Sequence, residues 1–220
     1  MEKIKLVFIT IALGFLYSCL NYEQVTTIKT DNSGEMYLHY WIKWNSPKDS
    51  LVLMNLEIFN QDSIYNQFTS AFTIINDLQV YRNFEDSTIH AKIEFEFSQF
   101  DSLNLLSVFK GREFSIKDGP ENTKVFSQAV PIYTAGWGAQ RELLKITYIY
   151  YLPGEIIKHN ADNLSNNKLI WNFGSNPQIN ERYITATYRP FKLKETPRII
   201  FISALAILFV VIIYLFKRKK

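Results

Sequence analysis

The chain has 220 residues and a formal net charge of +3, with 24 lysines and arginines against 21 aspartates and glutamates. This charge is weak, and the central part has no basic patch with interleaved aromatic side chains, so nucleic acid is excluded as a partner. The single cysteine, Cys19, rules out an intrachain disulfide and a cysteine-based metal site.

Residues 1–18 have the pattern of a lipoprotein-type signal peptide. Lys3 and Lys5 precede an apolar stretch over 6–17, which is shorter than the roughly 20 residues of a membrane span. The motif Leu16-Tyr17-Ser18-Cys19 resembles the bacterial lipobox, apart from the bulky Tyr17. We therefore predict lipidation at Cys19. The alternative is an uncut signal anchor with a buried thiol.

The C-terminal end predicts a membrane anchor. Residues 199–216 carry no charge, and a helix of this length measures roughly 27 Å, close to the hydrocarbon thickness. A basic linker over 189–198 precedes this predicted transmembrane helix, and a basic tail over 217–220 follows it. Export from the N-terminus then predicts a bacterial cytoplasmic (inner) membrane protein. Its body, 19–188, faces outside and its tail is cytoplasmic.

The first half of the body predicts a hairpin followed by a helix. Residues 23–30 and 35–44 flank the turn Asp31-Asn32-Ser33-Gly34. Alternation in the second strand places Tyr37, His39 and Trp41 on one face. Residues 51–59 fit either a helix or a strand. Residues 62–76 have the apolar spacing of a helix that Asp62 caps.

The second half predicts mainly strands. Residues 78–84 and 88–97 form another hairpin, and Asp101 begins a short helix through 109. Further strands are predicted over 113–117, 124–129, 144–152, 168–173 and 183–188, and a loop over 131–141. The predicted fold class is therefore α+β: a largely antiparallel sheet with two helices packed on one face, plus the C-terminal transmembrane helix.

Short turn-and-strand motifs resemble the LppM-like family of bacterial envelope proteins. The first is the stretch 22–35, which contains Asp31-Asn32-Ser33-Gly34-Glu35. The others are Leu152-Pro153-Gly154-Glu155-Ile156, then His159-Asn160, the strand 168–172 and a strand like 183–188. The resemblance implies an exported, membrane-attached α+β domain, with envelope-lipid contact suggested for some members. It implies no catalytic residues.

Independent signs of chemistry are weak. His39, His90 and His159 lack the sequence spacing of metal ligands. Glu94 and Glu96 share a strand face, as paired acid and base carboxylates could, but Lys92 beside them favours a solvated, charge-balanced face. Neither a Walker motif nor a G-x-S-x-G motif is present. We predict no enzyme, no cofactor, and no catalytic, cofactor-binding or metal-binding residues.

Three functions are consistent with this pattern. The first is a membrane-anchored extracytoplasmic domain that binds an envelope lipid or a membrane protein through an apolar surface around Tyr37, Trp41 and 131–137. Core packing is the competing explanation for those aromatic residues. The second is a surface protein whose C-terminal helix and basic tail are a sorting signal, although Lys194-Glu195-Thr196-Pro197 is not the LPxTG motif. The third is an enzyme without a recognisable motif.

Overall fold

The computed structural model describes residues 20–54, 56–130, 144–173, 183–191, 203, 205 and 207–209. The chain divides into two compact units, Met1–Pro190 and Phe191–Lys220. The predicted signal peptide, Cys19 and the predicted loop over 131–141 lie outside the described residues. The described residues of the first unit form two β-sheets.

The larger sheet has seven strands in the order β3-β4-β2-β1-β7-β10-β9. Its strands are β1 (Leu20–Ile28), β2 (Gly34–Lys43), β3 (Thr73–Asn83), β4 (Thr88–Phe97), β7 (Leu144–Tyr151), β9 (Asn163–Ser165) and β10 (Lys168–Phe173). All neighbours pair antiparallel except β1 and β7, which are parallel. The parallel pair joins the first and the second half of the body.

The smaller sheet has four strands in the order β5-β6-β11-β8. Its strands are β5 (Ser115–Asp118), β6 (Lys124–Ala129), β8 (Gly154–His159) and β11 (Tyr183–Pro190). Neighbouring strands are antiparallel, and β11 has a register shift against β8 between Thr187 and Tyr188.

The core lies on one face of the large sheet. Phe126 of the small sheet packs against Tyr150 and Trp171 of the large sheet, with ring centroids 4.5 and 6.2 Å apart. Two helices pack against the large sheet as well: α1 (Pro47–Met54) contacts β4, and α2 (Gln61–Phe68) contacts β3. Short 3-10 helices complete this layer, at Glu57–Phe59, Phe100–Leu105 and Ser107–Phe109. The opposite face of the large sheet carries half-buried and exposed side chains.

Most strands agree with the sequence prediction. Both hairpins, β1–β2 and β3–β4, are confirmed, and so are β5, β6, β7, β10 and β11 within a few residues. Strands β8 and β9 were not predicted. In β8 the pairing with β11 supplies partners that the local sequence does not reveal.

The predicted α+β class is wrong, because the structure is mostly β and a second sheet covers much of the apolar face.

The helix predicted over 62–76 ends at Phe68. Thr73 and Ile75 are β-branched and pair with β4 instead. The helix cap is Asn60, whose side chain accepts a hydrogen bond from the Ser63 N–H, rather than Asp62. The helix predicted over 101–109 is a pair of short 3-10 helices.

The predicted C-terminal transmembrane helix over 199–216 also requires correction. Within the part of the chain that the structure describes, no helix has the length and apolar character needed to cross a membrane. A span needs about 20 successive apolar residues in one helix, and the helical residues described in this stretch are Ser203, Leu205 and 207–209. The predicted localisation, a single C-terminal span in the bacterial cytoplasmic membrane with a cytoplasmic tail, is therefore not supported.

Candidate functional site

The open face of the large sheet carries a group of aromatic and imidazole rings, which we call the ring row. It consists of Tyr37, His39 and Trp41 on β2, His90 on β4 and Tyr81 on β3. Alternation along each strand places these side chains opposite the core face. The strand register brings them together, because His90 lies directly between Trp41 and Tyr81.

Four of the five rings, all except Tyr37, are nearly parallel to their neighbours. The His39 ring lies 4.5 Å from the Trp41 ring at an interplanar angle of 28°. The His90 ring lies 4.8 Å from the Tyr81 ring at 10°. Tyr37 is tilted at 49° to His39, with a centroid distance of 6.2 Å. Contacts of this kind stabilise neighbouring strands and also leave ring edges available to a partner.

A chain of hydrogen bonds fixes the protons on the two histidines. The Thr88 hydroxyl donates to Asp86 Oδ1 at 2.5 Å, so its oxygen accepts from His90 Nε2 at 2.6 Å. A neutral imidazole that carries its proton on Nε2 has a lone pair on Nδ1. His90 Nδ1 therefore accepts from His39 Nε2, at 3.0 Å. The arrangement requires a neutral His90 ring and is compatible with a neutral His39 ring.

Electrostatics favour these neutral forms. Burial, followed by the charges of His90 and Lys92, lowers the pKa of His39 from 6.5 to about 4. Burial also lowers the pKa of His90, although Asp86 opposes the shift. Both imidazoles are consequently uncharged at neutral pH.

One cation belongs to the same surface. Lys92 lies directly across from His39 on the neighbouring strand, and its Nζ is 5.2 Å from the centre of the Tyr81 ring. A hydrogen bond with Tyr81 raises the pKa of Lys92. The ammonium group is therefore held against an aromatic face in a cation–π contact.

The carboxylates around the ring row form what we call the carboxylate rim. It consists of Glu23, Asp77, Asp86 and Glu94. Glu23 lies opposite His39, and Glu94 lies between Tyr37 and Asp77 on the neighbouring strands. Asp86 accepts a hydrogen bond from the Thr88 hydroxyl. The prediction that Glu94 and Lys92 share a solvated face with Glu96 agrees with the alternating burial of β4. The surface as a whole combines neutral rings with excess negative charge.

The ring row does not have the composition of a metal centre. Among the described residues, no group of three or more histidine, cysteine, aspartate or glutamate side chains could hold a metal ion. His159 lies apart from the other two histidines on β8, and its Nδ1 accepts from the Ala161 N–H at 3.1 Å. His39 and His90 form a hydrogen bond although they are 51 residues apart in sequence. Local sequence spacing could not reveal this contact.

A second polar cluster is buried between the sheets. Gln24 Nε2 donates to the Tyr150 hydroxyl at 2.7 Å, and that hydroxyl donates to Gln128 Oε1. Nearby, Arg112 donates to the Tyr148 hydroxyl at 2.9 Å and lies 5.2 Å from the Tyr22 ring. These hydrogen bonds connect both sheets beneath the surface, and we assign the cluster to the core.

A groove of about 570 Å³ lies along the small sheet. Its wall mixes the charged side chains Lys110, Glu113 and Lys117 with Phe114, and the Tyr183 hydroxyl donates to Glu113 at 2.7 Å. A wall with this much charge is unsuited to an acyl chain, which requires an apolar lining. The ring row is therefore the stronger candidate site.

Comparisons with known proteins bear on the fold. No protein-family model matches the chain, and none of the curated proteins is a significant match. Among solved structures, the chain is similar to the folded domain of the Mycobacterium tuberculosis LppM protein, determined by NMR, with a TM-score of 0.51 and 13% sequence identity. The similarity covers 79% of this chain and 91% of that domain. It shows an LppM-like fold and, at this identity, nothing further.

Proposed function

We propose that this chain is an exported, non-catalytic recognition domain that binds a protein partner through the ring row. The observation that carries the proposal is the assembly of Tyr37, Trp41 and Tyr81 on the open face of the sheet, next to a hydrogen-bonded histidine pair. Tyrosine and tryptophan are enriched at protein interfaces, where an apolar ring and a polar edge are used together.

A protein partner fits the charges better than an anionic lipid surface does. Glu23, Asp77 and Glu94 face the same side as the rings, and they would repel phosphate head groups. Lysine and arginine clusters, rather than carboxylates, attract anionic membranes. Lipidation of Cys19 stays a sequence-based prediction, and it would concentrate the domain near a membrane without requiring the ring row to touch lipid.

Site-specific photo-cross-linking tests this proposal. A benzophenone side chain replaces exposed Gln79, which is on β3 beside Tyr81, in the full-length protein produced in its own cells. We expect a discrete protein adduct at this position, since the probe borders the ring row. The matched control is a benzophenone at Lys158, an exposed position on β8 of the small sheet, where no such adduct should form.

A second substitution links the adduct to the rings. Trp41→Ala in the Gln79-labelled protein should reduce the yield of the adduct several-fold, whereas Tyr65→Ala, at an exposed position of helix α2, should leave it unchanged. Equal adducts from Gln79 and Lys158, or lipid adducts alone, would contradict recognition of a protein by this face.

A further inference from the structure

The charges around the ring row point to the chemistry of its partner. Glu23 lies directly opposite His39, and Glu94 lies directly opposite Tyr37. Side chains directly opposite in an antiparallel pair have Cβ atoms about 5 Å apart, and diagonal neighbours are about 7 Å apart. Glu94 is opposite Tyr37 and Glu23 is diagonal to it, so both carboxylates are within reach of a group that rests against Tyr37.

Lys92 shows how this surface accommodates a positive group. Its ammonium lies 5.2 Å from the centre of the Tyr81 ring, and the negative charge of Asp77 acts on it as well. Tyr37 repeats this combination of ring and carboxylate at another end of the row, where the charges of Glu23 and Glu94 act on it together with that of Lys92. The two histidines add no opposing charge, since the hydrogen bonds of His90 require its neutral form and burial lowers the pKa of His39.

Arginine matches this combination better than the other side chains do. Its planar guanidinium stacks on aromatic faces and presents several N–H donors to carboxylates, while the lysine ammonium is compact and strongly hydrated. An acidic partner would meet the carboxylate rim and be repelled.

We propose that the Tyr37 end of the ring row binds an arginine side chain of a protein partner, with Glu23 and Glu94 accepting hydrogen bonds from the guanidinium. This inference rests on the proposed function, because it identifies which feature of the partner the recognition domain contacts. The attraction is partly electrostatic and decreases as salt screens the carboxylates.

The test uses fluorescence anisotropy of labelled octapeptides added to the full-length protein. The probes alternate glycine with arginine, with lysine or with glutamate, and are otherwise identical. We expect the arginine peptide to bind about fivefold more tightly than the lysine peptide, the range of an exposed cation–π contact. The glutamate peptide should not bind, and added salt should weaken the arginine complex.

Charge-removing variants locate the site without disturbing the core. Glu23→Gln combined with Glu94→Gln should weaken arginine-peptide binding about fivefold, since each exposed ion pair contributes up to about 1 kcal/mol. The matched control combines Glu57→Gln with Glu121→Gln, which are exposed carboxylates outside the large sheet, and should bind as the unmodified protein does.

The outcomes separate this inference from the proposed function. Equal binding of the arginine and lysine peptides, or unchanged binding after Glu23→Gln with Glu94→Gln, would overturn the arginine site. If the Gln79 cross-link to a protein persists in that case, recognition by the ring row still stands and the partner chemistry is different. If the cross-link is absent as well, both proposals fail.

Discussion

Two buried tyrosines illustrate how hydrogen bonding decides the effect of a single hydroxyl. The Tyr150 hydroxyl accepts from Gln24 and donates to Gln128. The Tyr188 hydroxyl is also buried, but has no hydrogen-bond partner among the described residues. Burial raises the pKa of Tyr188 to about 12 and raises the pKa of Tyr150 as well, so both side chains are neutral at physiological pH.

The two tyrosines should respond oppositely to removal of the hydroxyl. Tyr188→Phe removes a buried polar group that lacks a partner, and should raise the free energy of unfolding by about 1 kcal/mol. Tyr150→Phe removes one hydrogen bond from each of the buried side chains Gln24 and Gln128, and should lower the free energy of unfolding by about 2 kcal/mol. Urea denaturation of both variants checks the difference. Destabilisation of equal size in the two variants would show that Tyr188 is hydrogen-bonded.

The histidine pair makes stability depend on pH. The pKa of His39 in the folded protein is about 4, against 6.5 for an unperturbed histidine. As the pH falls below 6.5 toward about 4, the unfolded chain binds a proton that the folded protein does not. The free energy of unfolding therefore decreases on acidification through this window, and the contribution is absent above it.

Substitution of His39 should remove this contribution. His39→Gln keeps an N–H that can donate to His90 but cannot take up a proton in this range. Urea denaturation at several pH values should show a shallower decrease below 6.5 for the variant than for the unmodified protein. Superimposable pH profiles would mean that His39 titrates normally in the folded state.

At the scale of elements, a glycine determines how two strands of the small sheet approach each other. Gly154 begins β8 and pairs with Pro190 of β11. A Cβ atom placed there would be 2.2 Å from the Arg189 carbonyl oxygen, a backbone atom that cannot rotate away. Gly154 is also part of the Leu152-Pro153-Gly154-Glu155-Ile156 motif, and its close contact provides a physical reason for glycine at that position.

Alanine at this position should separate the strands. Gly154→Ala is expected to lower the free energy of unfolding by about 2 kcal/mol through overpacking. Gly111→Ala is the matched control. Its Cβ would meet nothing within 4 Å, although its φ of +82° adds strain of about 1 kcal/mol. A thermal melt in which Gly111→Ala is the less stable variant would contradict the packing argument.

On the scale of the whole molecule, Phe100 couples the two sheets. It is fully buried, and its ring lies 6.0 Å from Phe97 on β4, 5.6 Å from Phe126 on β6 and 6.2 Å from Tyr150 on β7. The sheets therefore share one core, and the parallel β1–β7 pair closes it across a long sequence separation.

Removal of this ring should weaken both sheets together. Phe100→Ala is expected to lower the free energy of unfolding by about 4 kcal/mol, the usual cost of truncating a buried phenylalanine. Far-UV and near-UV circular dichroism should still report one coincident transition. Leu105→Ala, at a residue in the same 3-10 helix that is 76% exposed, should change the free energy by less than about 0.5 kcal/mol. Two separate transitions in the unmodified protein would show that the sheets unfold independently.

The sequence by itself determined most of the strands and the faces of some of them. Alternation in β2 places Tyr37, His39 and Trp41 on one face because successive side chains of a strand point to opposite sides. The sequence also excluded an intrachain disulfide, since the chain has one cysteine. These features depend only on local geometry and composition.

Only the tertiary structure decided which strands are neighbours. The pairing of β2 with β4 brings His39 within hydrogen-bonding distance of His90 and positions Glu94 opposite Tyr37. Long-range pairing likewise replaced the expected helical layer with a second sheet and drew 73–75 into β3. Strand order depends on the free energy of burying whole faces against each other, and no local window of sequence contains that information.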